Sequence, residues 1–176
     1  MRRDPLADPD PLIRRVYAYV AYRIGDGPEA EDVTSEVFER ALRYRASYDD
    51  TRGRPVPWLL GIARRCVDDA LCRRAPAAPP EPTEQADEAD VGADVVRRVT
   101  LAAAIETLDE RGRDLLALRY GADLSARQIG EILGVRTNAV EVALHRTLTR
   151  LRKELEDPGE GRPRRAGDPA PSVSPP

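Results

Sequence analysis

The sequence is poor in the residues from which enzyme, metal and redox sites are usually built. Its 176 residues include one His, two Cys, one Trp and one Phe, and aromatic residues make up only 5%. A lone His has no partners for acid–base or nucleophilic catalysis, and no glycine-rich phosphate-binding loop is present. Cys66 and Cys72 would stand about 120° apart around one helix, too far round to bond, and no further Cys or His pair completes a metal site. We therefore expect no enzyme, no metal and no other cofactor.

Long hydrophobic runs and alternating strand patterns are also missing. The N-terminal stretch MRRDPLADPDPLIRR lacks the apolar segment of a secretory signal. No apolar run approaches the roughly 20 residues that a membrane span requires. The alternation of β-branched residues that is typical of strands is absent as well. The sequence thus predicts an all-α, cytoplasmic protein without membrane insertion.

Composition divides the chain into two helical blocks, each with a modest core. From Pro76 the sequence PAAPPEPTEQADEADVGAD is rich in Pro, Ala and carboxylates and cannot bury a core. Residues 76–100 hold two basic and six acidic side chains, so this segment supplies the acidic balance of a chain with net charge −3. The sequence after Pro158 is similarly disorder-prone. We predict a helical domain at 10–75, a flexible acidic linker at 76–94, a second helical domain at 95–156 and a disordered tail at 157–176.

Three helices are predicted in the first block. The first has an apolar stripe made of Leu12, Ile13, Val16, Tyr17, Val20, Ala21 and Ile24. The second follows the turn GDGP and exposes an acidic face that is either solvated or a docking surface; its predicted buried residues are Ala30, Val33, Val37 and Ala41. The third, WLLGIARRCVDDALCRRA, follows a loop rich in Tyr and Arg, displays four arginines and buries Trp58, Leu59, Ile62, Val67 and Leu71. Because bases stack on aromatic rings while Arg holds phosphate, this loop and helix form a candidate platform for unpaired bases.

The stretch SARQIGEILGVRTNAVEVALHR, from Ser125 to Arg146, predicts two helices joined by a short turn. Ser125 and Gln128 form a capping-box pattern, and Gly134 can adopt the left-handed conformation that ends a helix. Thr137 can cap the second helix. If Val140, Leu144, Leu148 and Leu151 face inward, the outward face consists of Asn138, Glu141, Val142, His145 and Arg146. This pattern is typical of a helix-turn-helix unit, whose second helix lies in the major groove of DNA.

In their order and spacing, these segments resemble the extracytoplasmic-function (ECF) sigma factors of bacterial RNA polymerase. GDGPEAEDVTSEVFERALR is similar to the family's polymerase-core-binding helix, and WLLGIARRCVDDALCRR to its −10 promoter helix. LDERGRDLLALRYGADLSARQIGEILGVRTNAVEVALHRTLTRLRKEL is similar to its −35 binding domain. The resemblance implies a sigma region 2-like bundle and a helix-turn-helix region 4-like domain. It also implies core RNA polymerase and promoter DNA as partners, with an anti-sigma factor as a candidate partner.

The resemblance further assigns roles to individual residues. Those implied in contact with the polymerase core are Asp32, Glu36, Phe38 and Glu39. Those implied at the −10 element are Tyr44, Tyr48, Arg52, Arg54, Arg64, Arg65, Asp69 and Arg73. Those implied at the −35 element are Arg136, Thr137, Asn138, Glu141, Val142, His145, Arg146 and Arg150. Arg65 stands where the family usually has Asn, and Pro55 where an aromatic is frequent, so the resemblance does not imply a base preference at −10.

A stand-alone helix-turn-helix regulator, binding an operator as a dimer, is the alternative function. Such a regulator would use its first block for ligand sensing or dimerisation, whereas this block combines an acidic helix with a basic helix and an aromatic loop. The linker also suits two separate DNA elements, because about 20 extended residues span up to roughly 70 Å, the length of about two turns of DNA. The sequence therefore favours the sigma factor.

Overall fold

A computed structural model describes residues 4–51, 54–74 and 100–156 of the chain. Within these ranges the protein is helical with no strand, which confirms the all-α prediction. The helices are α1 (Pro9–Ile24), α2 (Pro28–Arg43), α3 (Pro55–Arg73), α4 (residues 100–106), α5 (Glu110–Leu116), α6 (Ala126–Leu133) and α7 (Thr137–Glu156). A 3-10 turn at Arg45–Ser47 follows α2, and a π-helical turn at Ala117–Gly121 extends α5. The predicted linker at 76–94, the predicted tail at 157–176 and Arg52 lie outside the described residues.

We refer to α1–α3 as the first block and to α4–α7 as the second block. Proline sets the start of each helix in the first block. Pro9, Pro28 and Pro55 are the first residues of their helices, where the missing N–H costs no hydrogen bond. Between α1 and α2, Gly25 and Gly27 have φ angles of 94° and 132°, a backbone conformation that glycine adopts readily. The sequence GDGP therefore forms the predicted turn.

The inward faces of the first-block helices largely follow the sequence pattern. The four residues predicted to be buried in α2 are buried, and so are Leu59 and Val67 in α3; Trp58, Ile62 and Leu71 are only half-buried. The prediction for α1 is wrong at two positions. Ile13 is 43% exposed, whereas Tyr19, which falls outside the predicted stripe, is fully buried. The reason is that Tyr19 packs between the first block and the second, a contact that the periodicity of α1 alone does not encode.

The turn between α6 and α7 has the geometry that its sequence predicts. Ser125 and Gln128 form a reciprocal capping box, and Gly134 is left-handed with φ 67°. A glycine is also needed at position 130, for a different reason. A Cβ on Gly130 would lie 2.7 Å from the backbone oxygen of Val135. Thr137 is the first residue of α7 itself, so the predicted N-cap is one residue too late.

The two blocks pack directly against each other. α1 contacts the π-helical turn, and α3 contacts α6. Buried apolar residues of both blocks form one continuous cluster, in which Leu118 and Leu124 of the second block join Val16 and Leu59 of the first. The sequence predicts two separate cores, whereas the structure joins them through long-range contacts that local helical patterns do not specify.

Candidate nucleic-acid interface

Helix α7 presents its predicted outward face to solvent. Val140 and Leu144 are buried and hold the helix against the second block. The exposed residues on the opposite side are Asn138, Glu141, Val142, His145 and Arg146. Their spacing of three and four residues places them on one face. Val142 stands out because it is a large apolar side chain that remains 42% exposed among polar neighbours. The structure therefore gathers the central residues predicted for the −35 element on one accessible surface.

The other residues predicted for the −35 element lie at the two ends of this face. Arg136 and Thr137 are exposed at the start of α7. Arg150 lies one turn beyond Arg146, and its Nη2 donates to the backbone oxygen of Thr107 at 2.9 Å. Arg150 thus ties α7 to the end of α4, a structural contact that the sequence does not reveal.

An open groove of about 850 Å³ runs beside the exposed face, between α5 and the start of α7. Its charged lining residues are Asp109, Arg111, Arg136 and Arg146. Asp109 is already engaged as the N-cap of α5, where its carboxylate accepts from the backbone N–H of Gly112 at 2.8 Å. Three arginines beside hydrogen-bonding side chains suit a nucleic acid. Contacts with its phosphates fix the position of the protein on the duplex, while contacts with its bases read the sequence. Among the arginines of this groove, Arg111 alone is not predicted from the sequence.

The residues predicted for the −10 element in and after the loop that follows α2 lie partly on the surface and partly in the core. Tyr44 is 53% exposed, and Arg54 is exposed at the start of α3. Tyr48 is instead buried against Trp58, with the ring centroids 5.5 Å apart and tilted by 58°. Such aromatic pairs stabilise a fold beyond simple burial. Tyr48 therefore holds the loop on α3, whereas Tyr44 is accessible for stacking.

The basic residues of α3 do not all face solvent in the same way. Arg65 is exposed, but the Nε of Arg64 donates to Asp114 of the second block at 2.9 Å. Asp69 accepts from Arg40 Nη2 at 2.9 Å, a hydrogen bond that raises the pKa of Arg40. Arg73 lies 3.6 Å from a carboxylate oxygen of Glu36. Of these residues predicted for the −10 element, Arg65 alone lacks a described ion pair or side-chain hydrogen bond.

The predicted polymerase-binding residues of α2 also separate into two groups. Asp32 and Glu39 are exposed. Glu36 is half-buried and accepts from Arg40 at 2.5 Å, and Phe38 is half-buried against the core. Glu36 therefore belongs to the ion-pair network that links α2 to α3, while Asp32 and Glu39 form the open part of the acidic face.

A buried polar cluster between the two blocks is missing from the sequence analysis. Asp114 accepts from the Tyr19 hydroxyl at 2.7 Å as well as from Arg64, and Arg23 donates to Glu110 at 2.9 Å. Burial between the blocks raises the pKa of Tyr19. Asp114 is the one sequence signal that indicates this cluster. Its carboxylate lies among apolar residues, since Asp114 shares a helical face with Leu118 and is next to Leu115. Such a residue needs a partner from elsewhere in the chain.

These features define a two-block helical protein with an exposed helix-turn-helix, and comparison with known proteins identifies its family. Residues 10–76 match the family Sigma-70 region 2, and residues 104–153 match Sigma-70, region 4. The ECF RNA polymerase sigma factor SigD of Mycobacterium tuberculosis is 35% identical over 159 residues, covering 82% of this chain and 74% of SigD. SigW of Bacillus subtilis is 29% identical over 171 residues, covering 88% of this chain and 91% of SigW.

Solved structures share the fold. RpoE of Bartonella quintana, solved with the anti-sigma factor NepR, superposes with a TM-score of 0.58 at 16% identity, covering 83% of this chain and 92% of RpoE. CnrH, solved with the cytosolic domain of CnrY, gives a TM-score of 0.57 at 20% identity, covering 83% of this chain and 80% of CnrH.

The chain belongs to the ECF sigma factors and directs promoter-specific transcription initiation. Sigma factors are transcription initiation factors without catalytic activity of their own. Among the residues that the structure describes, none of the helices is both long enough and apolar enough to cross a membrane.

Proposed function

We propose that the two blocks divide promoter recognition, with the second block on the −35 element and the first on the −10 element and the polymerase core. The observation that carries this proposal is the exposed face of α7 beside an arginine-lined groove. The protein then acts as a dissociable subunit of core RNA polymerase, in the cytoplasm and without catalytic activity of its own.

At the −35 element, the chemistry of the α7 face suits direct readout of bases. Arg146 can pair with guanine through two hydrogen bonds, and Glu141 can accept from the amino group of cytosine. Val142 can contact the methyl group of thymine, which gives an exposed apolar side chain a partner. Arg136, which is exposed and lines the groove, suits a phosphate.

At the −10 element, the accessible residues suit unpaired bases. Tyr44 offers a ring for stacking, and Arg54 and Arg65 offer cations for the backbone. Opening the duplex costs a few kcal/mol for each unstacked step, which contacts of this kind must offset. Tyr48 and Asp69 contribute indirectly, because Tyr48 fixes the loop on Trp58 and Asp69 holds Arg40.

The acidic face of α2 suits the polymerase core. Asp32 and Glu39 are exposed carboxylates, and the half-buried Phe38 lies beside them in the helix. Charge complementarity with a basic partner speeds association, while the apolar group contributes burial. An anti-sigma protein is a further candidate partner, since the similarly folded RpoE is solved with one.

Replacing Arg146 with Ala tests the −35 assignment. We expect recognition of the −35 element to weaken by about 1–3 kcal/mol, because a bidentate contact to a base is lost. Transcript start sites mapped after overexpression supply the promoter, and transcript output is then compared on that promoter with intact and altered −35 sequence.

Arg152→Ala is the matched control, since Arg152 is an exposed arginine of the same helix that lies beyond the residues predicted for the −35 element. Its output should stay close to that of the unaltered protein. Equal output from Arg146→Ala and the unaltered protein would remove Arg146 from the −35 surface.

A further inference from the structure

Asp114 is the centre of the polar contact between the two blocks. It is 7% exposed and accepts a hydrogen bond from the Tyr19 hydroxyl at 2.7 Å and another from Arg64 Nε at 2.9 Å. Both donors belong to the first block, whereas Asp114 belongs to α5 of the second. A single carboxylate thus joins α1, α3 and α5.

Arg23 completes the cluster from the first block. Its side chain is only 3% exposed; the Nη2 lies 2.9 Å from Glu110 and 3.8 Å from Asp68, and the Nε lies 3.8 Å from Asp114. The Arg23 Nε has no hydrogen-bond partner. Burying ion pairs gains little net free energy, because the loss of hydration offsets the attraction. The polar contact can therefore exchange its partners at low cost when another anion or water becomes available.

The blocks also approach closely at Gly121, at the end of the π-helical turn. A Cβ added there would lie 2.9 Å from the backbone oxygen of Ala18 in α1 and 3.2 Å from the Tyr22 ring. A glycine at this position allows the second block to rest on the backbone of α1. Any larger residue would require the blocks to shift apart.

This closed arrangement conflicts with contact to two promoter elements at once. A block of about 60 residues has a radius of gyration of about 10 Å, so the centres of two touching blocks lie about 25–30 Å apart. Two elements separated by about two turns of DNA lie about 70 Å apart. In addition, Arg64, which belongs to the residues predicted at the −10 element, is paired with Asp114.

We propose that Asp114 is an internal lock, which holds the free protein closed by occupying Arg64 and Tyr19 and is released when the blocks separate on polymerase and promoter. Phosphate of promoter DNA then takes the place of the Asp114 carboxylate on Arg64. This last step rests on the proposed function. The lock itself rests only on the contacts between the blocks.

Two kinds of variant open the lock without altering the residues assigned to DNA or polymerase. Asp114→Asn keeps the shape of the side chain and removes the charge that pairs with Arg64 and Arg23. Gly121→Ala places a methyl group against the backbone of Ala18. Tyr19→Phe is a milder third variant, because it keeps the buried ring and removes one hydrogen bond.

The variants Asp114→Asn and Gly121→Ala each have a matched control. Asp123→Asn removes the same charge from the second block, at a residue whose side chain is 83% exposed and whose ion pair with Arg15 is 3.9 Å long; exposed pairs of this kind contribute little. Gly61→Ala adds the same methyl group in α3, where a Cβ meets nothing within 4 Å. Circular dichroism of the full chains checks that all of them remain helical.

The test measures compactness and binding on the same full chains. Small-angle scattering should give a larger radius of gyration for Asp114→Asn and Gly121→Ala, with Tyr19→Phe changed in the same direction, and no change for either control. Together with core RNA polymerase, the opened variants should bind promoter DNA several-fold more tightly, because a closed population lowers the apparent affinity of the protein for a duplex that only the open chain can span.

Unchanged scattering in both Asp114→Asn and Gly121→Ala would overturn the lock, and so would opened chains that, together with core polymerase, bind promoter DNA no more tightly. If neither the unaltered protein nor any variant binds core polymerase, the proposed function fails, while the scattering still decides whether Asp114 closes the chain.

Discussion

Each residue of the predicted sites is either engaged in a structural contact or accessible to a ligand. The surroundings of the side chain in the fold decide which. Tyr44 and Tyr48 lie in the same loop, yet Tyr44 is exposed and Tyr48 is buried against Trp58. Arg65 and Arg64 are neighbours in α3, yet Arg65 faces solvent and Arg64 pairs with Asp114. Residue type and spacing find the candidates, but the partners that occupy some of them come from distant parts of the chain.

The two cysteines give a simple test of burial at the residue scale. Cys72 is exposed, whereas Cys66 is fully buried, and burial raises the pKa of its thiol to about 11. Since the thiolate is the reactive form, we expect a thiol reagent at pH 8 to label one cysteine quickly in the folded chain and the second only in urea. Cys72→Ser should abolish the fast phase. Rapid labelling of both thiols in the native protein would show that the α3 core packing is wrong.

The contact between Glu29 and Arg74 predicts that the stability of the fold depends on pH. Arg74 donates to both oxygens of this carboxylate and also to the backbone oxygen of Ile24, so it links α3 to the turn between α1 and α2. The hydrogen bond from Arg74 lowers the pKa of Glu29 below 4.5. The folded protein therefore binds fewer protons here than the unfolded chain, and the pair stabilises the fold above about pH 4.5 and loses this effect as the pH falls.

Urea unfolding of the unaltered chain and of Glu29→Gln, at pH 7 and at pH 3.5, measures this contribution. The variant should be less stable at pH 7, and the difference should shrink at pH 3.5. A difference that stays constant between the two pH values would mean that the carboxylate does not titrate as the contact with Arg74 requires.

At the scale of single elements, the helix-turn-helix depends on glycines that have different tasks. Gly134 supplies the left-handed residue after α6, whereas Gly130 leaves room for the backbone of Val135. Gly130→Ala should destabilise the protein by about 1–3 kcal/mol, because a backbone atom 2.7 Å from the new Cβ cannot move aside without distorting the turn. Urea unfolding of the full chain measures the change.

Gly61→Ala is the control for this substitution, since a Cβ there has open space. In a helix interior Ala is more favourable than Gly by about 0.5–1 kcal/mol, so this variant should be as stable as the unaltered chain or slightly more stable. Equal stability of Gly130→Ala and Gly61→Ala would contradict the close approach in the turn.

The individual elements are also where sequence-based prediction succeeds best. The capping box at Ser125, the helix end at Gly134 and the buried face of α2 all depend on residues within a few positions of each other, so local patterns contain the needed information. The start of α7 was predicted with an error of one residue. The predicted stripe of α1 is wrong at Ile13 and at Tyr19. Tyr19 is buried because α1 contacts α2, α3 and the π-helical turn, and therefore buries a wider surface than one periodic stripe predicts.

At the scale of the whole molecule, the sequence indicates two blocks but not their contact. The shared cluster depends on pairs such as Tyr19 and Asp114, which are 95 residues apart in the chain. No local pattern couples such positions. The same contact gives the molecule a closed arrangement in which the α7 face remains exposed while Arg64 is occupied.

Promoter-specific initiation requires both blocks to work on one polymerase, and transcription with purified components measures this requirement most directly. The protein mixed with core RNA polymerase and promoter DNA should give transcripts from defined start sites, and neither protein alone should do so. Transcripts that do not depend on this chain, together with tight operator binding by the chain alone as a dimer, would contradict the account and favour a stand-alone regulator.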